Sequence, residues 1–125
     1  MKLSGSLFTI ISRTGTDCAP RFGIRLDAEH FIYKAHFPGE PITPGVCILQ
    51  IVSELASEAC GKPLEISQVR NVKFLQIISP LEHPEIDCSF TRLEEEDGLE
   101  KVQATLSKGE ILFAKLSLVC RIPKA

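Results

Sequence analysis

The sequence has no apolar run of about 18 residues, the length that a helix needs to cross a membrane. Its first five residues, MKLSG, lack the extended apolar core of a secretory signal peptide. We therefore expect no membrane span and a cytoplasmic location.

Neither sign of charge is in clear excess, because fourteen Lys and Arg residues face sixteen Asp and Glu residues. A formal net charge of -2 provides no overall positive field that would attract nucleic acid. We expect no nucleic-acid partner.

Patterns that bind metals or cofactors are also missing. The five cysteines show no C-x-x-C spacing, and the three histidines, His30, His36 and His83, are not spaced as zinc ligands. The chain has no G-x-S-x-G motif, no glycine-rich phosphate loop and no dinucleotide fingerprint. We predict free, buried thiols, no metal and no cofactor.

Alternating apolar and polar residues indicate that strands make up most of the chain. The acidic run 94–98 ends in Asp97-Gly98, which favours a tight turn, and residues 108–110 predict a second turn. We expect strands over residues 7–12, 22–27, 66–78, 86–91, 101–107 and 111–121.

Residues 45–60 have a helical period instead, with a broad apolar surface and a narrow polar seam. Thr43 is a candidate N-cap, Pro44 suits the first helical position, and Gly61 is expected to end the helix. Because this helix is too apolar to lie on the surface, other elements have to cover it. We therefore predict an α+β fold with an antiparallel sheet of five to six strands wrapped around one long central helix. Residues 1–125 would form this single domain.

The segment 36–45, HFPGEPITPG, is the part of the sequence that suggests chemistry. Three prolines stiffen it, and it leads into a helix whose first N–H groups lack partners within the helix. His36 offers a base with a pKa near neutral, and Gly45 lets a ligand approach those N–H groups. This combination suits abstraction of a proton next to a carbonyl.

The pattern His36-Phe37-Pro38-Gly39-x-Pro41-x-x-Pro44-Gly45-Val46 resembles the active-site segment of FabZ-like (3R)-hydroxyacyl-acyl-carrier-protein dehydratases. The resemblance implies a hot-dog fold, His36 as the catalytic histidine, and the Gly45 N–H as the group that binds the thioester carbonyl. Phe37, Pro44 and Val46 would contact the substrate. It also implies at least a homodimer, with a continuous sheet across two subunits and the active site between them.

One position departs from that family, in which an acid lies on the helix fourteen residues after the histidine. Here the position holds Gln50, which can hydrogen-bond a 3-hydroxyl but has no proton to give. Three alternatives follow: Glu54, one turn further on, acts as the acid; a paralogous partner supplies one; or the chain is a thioesterase or a binder without turnover.

The long strand keeps few of the basic residues that would attract an acidic carrier protein, and Arg70 and Lys73 are the candidates for docking it. From the sequence we predict dehydration of 3-hydroxyacyl thioesters, linked to acyl carrier protein, to trans-2-enoyl thioesters. The alternatives are a partner subunit of a hetero-oligomeric dehydratase or an acyl-thioesterase.

Overall fold

A computed structural model describes residues 2–35 and 39–124. Within them the chain forms one antiparallel sheet of six strands in the order β1-β2-β4-β5-β6-β3, together with two helices. The elements are β1 (Phe8–Gly15), β2 (Pro20–Leu26), α1 (Phe31–Ala35), α2 (Gly45–Cys60), β3 (Glu65–Phe74), β4 (Glu85–Glu96), β5 (Leu99–Lys108) and β6 (Ile111–Arg121). This arrangement confirms the predicted α+β class, with six strands.

Helix α2 has the predicted bounds and supplies much of the core. Its buried side chains are Cys47, Ile48, Ile51, Val52, Ser53, Leu55 and Ala56. Gly61 ends the helix in the left-handed conformation, with a φ of 67°, and its N–H donates to the Ser57 carbonyl at 2.9 Å.

The start of α2 differs from the prediction, because Pro44 and not Thr43 is the N-cap. The carbonyl of Pro44 accepts hydrogen bonds from the N–H groups of Cys47 and Ile48, at 3.0 and 3.1 Å. The Thr43 hydroxyl lies instead 2.9 Å from the buried hydroxyl of Tyr33. A tertiary partner has therefore replaced the local cap.

The acidic run was predicted as a turn, but most of it belongs to β4. Glu94 pairs in register with Lys101 of β5, and only Asp97 and Gly98 form the turn, both with positive φ. Arg92 forms ion pairs with Glu94 and with Glu96 at this exposed end of the hairpin. Because the charges remain in water and have cationic neighbours, the strands can continue through them.

Two further boundaries differ. The long strand β3 ends at Phe74 instead of residue 78, since the N–H groups of Leu75 and Gln76 both donate to the carbonyl of Phe113 and the regular ladder stops there. After His30, where no helix was predicted, the chain forms the short helix α1, whose Ile32 N–H donates to the His30 ring nitrogen Nδ1 at 3.2 Å.

The thiols are free, and three of them, Cys47, Cys88 and Cys120, are buried. Cys60 is half-buried and Cys18 is exposed, so burial is less complete than predicted. Among residues 2–35 and 39–124, no helix is long and apolar enough to cross a membrane.

Candidate active site

An apolar groove of about 340 Å³ lies at the N-terminal end of α2. Ile42, Gly45 and Ile48 form one wall, and Phe74 and Ile77, at and beyond the end of β3, form the other. Gln76 and Thr43 are the polar residues of an otherwise apolar lining. A groove of this composition suits an acyl thioester, which has few polar atoms.

Gly45 is in close contact with the Phe74 ring. A Cβ atom added at Gly45 would lie 3.0 Å from Cζ and 3.2 Å from Cε2 of Phe74. The ring is half exposed and lies against the first turn of α2. Glycine is the residue that leaves room for this ring.

The first turn of α2 offers N–H groups to a ligand. An α-helix provides no carbonyl for its first N–H groups, and the positive end of the helix dipole lies there. Val46, in the same turn, is 64% exposed. Negative charge that develops on a carbonyl oxygen at this point would therefore be stabilised.

His36, Phe37 and Pro38 lie outside the described residues. The catalytic role of His36 and the substrate contact of Phe37 thus stay predictions from the sequence. The described chain reaches Ala35 at the end of α1 and resumes at Gly39.

Gln50 and Glu54 are joined to each other on the polar seam of α2. The Gln50 amide nitrogen Nε2 donates to Oε2 of Glu54 at 2.9 Å. Because a carboxylate can only accept hydrogen bonds, this contact fixes which end of the amide faces Glu54. The two residues predicted as alternatives for one catalytic position are therefore in direct contact.

Glu54 also holds the N-terminal segment against the helix. The N–H of Leu3 lies 3.0 and 2.8 Å from its two carboxylate oxygens, and the N–H of Ser4 donates to Oε1 at 2.8 Å. Three donors thus converge on this one partly buried side chain. The contacts favour a structural carboxylate and disfavour the role of substitute acid.

A buried pair beside the groove was missed by the sequence reasoning. The hydroxyl groups of Tyr33 and Thr43 are 2.9 Å apart, and burial raises the pKa of Tyr33 to about 12. The available signal was that the only tyrosine of the chain comes three residues before His36.

The candidate docking residues Arg70 and Lys73 are both exposed on β3. Lys73 stands opposite Lys115 of β6 in the register of the sheet. Neither Arg70 nor Lys73 forms an ion pair within the described part of the chain, so both cations are available to an acidic partner.

Solved structures identify the fold of the chain. The dehydratase heterocomplex ApeI:P from Xenorhabdus doucetiae contains a chain that aligns with a TM-score of 0.69 and 20% identity, over 90% of this chain and 97% of that one. The protein yhdA from Lactococcus lactis, a candidate thioesterase, aligns with a TM-score of 0.68 and 12% identity over the whole of both chains. The six-stranded sheet and its helix are thus a hot-dog fold.

The family follows from the sequence comparison. The model of the ApeI-like family, described as ApeI dehydratase, matches residues 12–110, and the chain belongs to this family. It is also similar to the 3-hydroxyacyl-[acyl-carrier-protein] dehydratases FabZ of Latilactobacillus sakei and Chloroflexus aggregans, each at 26% identity. These alignments cover 70% and 74% of this chain and 68% and 76% of the relatives. The resemblance predicted from residues 36–46 is confirmed.

Proposed function

We propose that the protein removes water from 3-hydroxyacyl thioesters to give trans-2-enoyl thioesters. The observation that carries the proposal is the apolar groove at Gly45, which lies at the end of the His36–Val46 motif in a chain of a dehydratase family. The groove accepts the acyl chain next to the thioester, and the first turn of α2 receives the thioester oxygen.

In this reaction His36 takes the proton from C2, and the electrons of that bond form the new double bond as hydroxide leaves C3. The leaving hydroxide needs a proton, which the Gln50 amide cannot supply. The proton comes either from the His36 imidazolium that has just formed or from a carboxyl group of a partner subunit. Gln50 orients the 3-hydroxyl by hydrogen bonding.

The test compares the wild type with His36→Ala on 3-hydroxyacyl and 2-enoyl thioesters, in both directions. Each substrate is supplied on acyl carrier protein and on coenzyme A. We expect turnover by the wild type and background rates for His36→Ala. Equal background rates for both proteins would exclude dehydration by this chain alone.

Gln50→Glu tests whether an acid has been lost from an otherwise intact site. The Gln50 amide nitrogen is 2.9 Å from a Glu54 oxygen, so the new carboxyl group would lie beside a carboxylate, and a nearby like charge favours its protonated form. A positioned general acid contributes about 10²- to 10⁴-fold. We expect the dehydration rate to rise at least about tenfold, and Gln50→Met, a neutral control of similar length, not to raise it.

A second candidate function is that of a partner subunit without turnover of its own. Gln50 favours it, because the chain carries no acid at that position, and the similar ApeI structure belongs to a heterocomplex. Co-purification from the native host distinguishes the two. A second dehydratase-like subunit, with activity only in the complex, supports this candidate, while an active self-associated protein excludes it. Release of free thiol in the thioester turnover assay would indicate the third possibility, an acyl-thioesterase.

We propose that a second subunit pairs along β3. This strand is at an edge of the sheet, bonded to β6 alone among the described strands, and Val69 is 46% exposed on it. Val69→Lys is expected to shift sedimentation toward the monomer. Ile11→Lys on β1, the opposite edge, is the matched control, since Ile11 is 41% exposed, and an equal shift would contradict the assignment.

Arg70 and Lys73 provide the docking surface for an acidic carrier. Lys73→Ala should raise KM for the carrier-linked substrate and leave KM for the coenzyme A substrate unchanged, because exposed cations mainly affect encounter with the carrier. Lys108→Ala, at the last and exposed residue of β5, is the control for a change of net charge.

A further inference from the structure

A polar cavity of about 430 Å³ lies on the solvent-exposed face of the sheet and shares no lining residue with the groove at Gly45. Three cations from three different strands line it: Arg70 of β3, Arg92 of β4 and Lys101 of β5. Over the part of the chain that the structure describes, no carboxylate is among the lining residues. The cavity therefore concentrates positive charge on a chain whose formal net charge is -2.

A row of hydrogen-bonding side chains crosses the sheet between these cations. Asn71 of β3 stands opposite Ser117 of β6, which stands opposite Gln103 of β5. Gln103 in turn stands opposite Arg92 of β4. Directly paired residues point to the same face of a sheet, with their Cβ atoms about 4.5–5.5 Å apart. The row thus contributes two amides, a hydroxyl and a guanidinium to the lining of one cavity.

A β-bulge borders this row on each side. The extra residue is Arg70 in β3 and Thr91 in β4. The bulge in β4 sets Arg92 opposite Gln103, a place that Thr91 would take in a regular ladder. Because β4 is an inner strand, its bulge does not serve to block pairing at an edge. Bulges redirect side chains, and both of these bring a guanidinium to the same cavity.

The three cations are not neutralised equally. Arg92 forms ion pairs with Glu94 and Glu96, at 3.3 and 3.8 Å. Arg70 and Lys101 form none in the chain as far as the structure describes it, although Lys101 stands opposite Glu94 in the register. Two cations without a counter-charge therefore face one cavity, and a bound anion would relieve their mutual repulsion.

We propose that this cavity binds a small anion that carries phosphoryl groups. The planar fork of a guanidinium matches phosphate oxygens, and a lysine adds a compact positive charge. The amides of Asn71 and Gln103 and the hydroxyl of Ser117 donate hydrogen bonds to the remaining oxygens. A second subunit paired along β3 would extend the sheet at its edge and leave this face open. Because the cavity is separate from the groove, this binding does not depend on the proposed dehydration.

Calorimetric titration with inorganic diphosphate tests the cavity directly. We expect the wild type to bind one diphosphate per chain, with a Kd below about 1 mM at about 0.15 M salt. Arg70→Gln and Lys101→Gln each replace a cation by a neutral polar side chain, and each should raise Kd at least about tenfold. No saturable binding to the wild type, or the wild-type Kd in both variants, would overturn the proposal.

Lys108→Ala and Lys73→Ala are the controls for a change of net charge. Lys108 comes five residues after Gln103 on β5, about 17 Å away, which exceeds the Debye length. Lys73 belongs with Arg70 to the proposed docking surface for the carrier but does not line the cavity. We expect Kd for diphosphate to change less than about threefold in both controls. A loss as large as that of Arg70→Gln would mean that binding follows net charge alone, against the proposal.

NMR locates the bound anion. The side-chain amide signals of Asn71 and Gln103, assigned by comparison with Asn71→Ala and Gln103→Ala, should shift as diphosphate is added to the wild type. Addition to Lys101→Gln at the same concentration should give smaller shifts, while its spectrum without ligand shows that it is folded. Amide signals that stay in place while diphosphate binds would put the anion elsewhere and overturn the proposal.

Three further ligands identify the chemistry and its source. Citrate, whose charge is spread over three separate carboxylates, should bind more weakly than diphosphate, and equal binding would contradict the phosphoryl assignment. Coenzyme A carries a diphosphate and pantetheine carries none. Tighter binding of coenzyme A than of inorganic diphosphate, weakened in Lys101→Gln, supports a nucleotide-linked ligand, and the reverse order supports a free phosphate compound. Pantetheine binding as tightly as coenzyme A would mean that phosphoryl groups contribute nothing, against the proposal.

Discussion

Replacing Glu54 by Gln tests whether this carboxylate is a structural hydrogen-bond acceptor or the substitute catalytic acid. Its two oxygens accept from the N–H groups of Leu3 and Ser4 and from the amide of Gln50, at 2.8 to 3.0 Å. An amide has the same shape but keeps one acceptor oxygen and turns an NH₂ group toward these donors. We therefore expect at least one strong hydrogen bond to be lost and one repulsive contact to form.

Hydrogen bonds to a charged group contribute about 1.5–3 kcal/mol each, so the free energy of unfolding should fall by about 2–4 kcal/mol. With an unfolding entropy of about 2.1 cal/mol/K per residue, a loss of about 3 kcal/mol in a chain of 125 residues lowers Tm by about 11 °C.

Thermal and urea unfolding measure the change. Glu58→Gln, an identical substitution one turn further along α2 at an exposed position, is the control and should alter the free energy of unfolding by less than about 0.5 kcal/mol. A loss below about 1 kcal/mol in Glu54→Gln, combined with a large loss of dehydration, would refute the reasoning and restore Glu54 as the candidate acid.

Three further predictions concern the core and the groove. Because Tyr33 is the only tyrosine, tyrosinate absorbance should titrate near pH 12 in the folded protein and near pH 10 after unfolding. Because the pKa of Tyr33 is higher in the folded state, the stability that its protonated form contributes is complete below pH 10 and is lost as the pH rises toward 12. Titration near pH 10 in the folded protein would contradict the burial of Tyr33. In the native state only Cys18 should react rapidly with a thiol reagent, because burial raises the pKa of the other four thiols. After unfolding all five should react, and several rapidly reacting thiols in the native state would contradict this prediction. Gly45→Ala should lower kcat/KM, because the new Cβ would lie 3.0 Å from the Phe74 ring and displace it at the first turn of α2. Unchanged kcat/KM would mean that the substrate does not use this turn.

The sequence was sufficient to predict features whose causes are local. Helix α2 has the bounds expected from its period, and Gly61 ends it because the left-handed conformation suits glycine. The Asp97-Gly98 turn was also predicted, since both residues tolerate a positive φ. The strand β4 nevertheless runs through the preceding glutamates, because ion pairs with Arg92 and an exposed position make the charges tolerable.

The features that were missed depend on contacts between distant parts of the chain. Helix α1 has only five residues, too few for a periodic signal, and His30 supports its start through a side-chain acceptor. Thr43 matched the pattern of an N-cap, but the partner of its hydroxyl is Tyr33. Glu54 binds the Leu3 N–H from 51 positions away, so no local pattern could indicate that contact.

The central claim is that this chain dehydrates 3-hydroxyacyl thioesters with His36 as the base. The most direct test supplies a 3-hydroxyacyl thioester, on acyl carrier protein and on coenzyme A, to the purified wild type and to His36→Ala, and measures formation of the 2-enoyl product. We predict product from the wild type and a rate at least about a hundredfold lower from His36→Ala. Equal rates from the two proteins, at background or above it, would contradict the account.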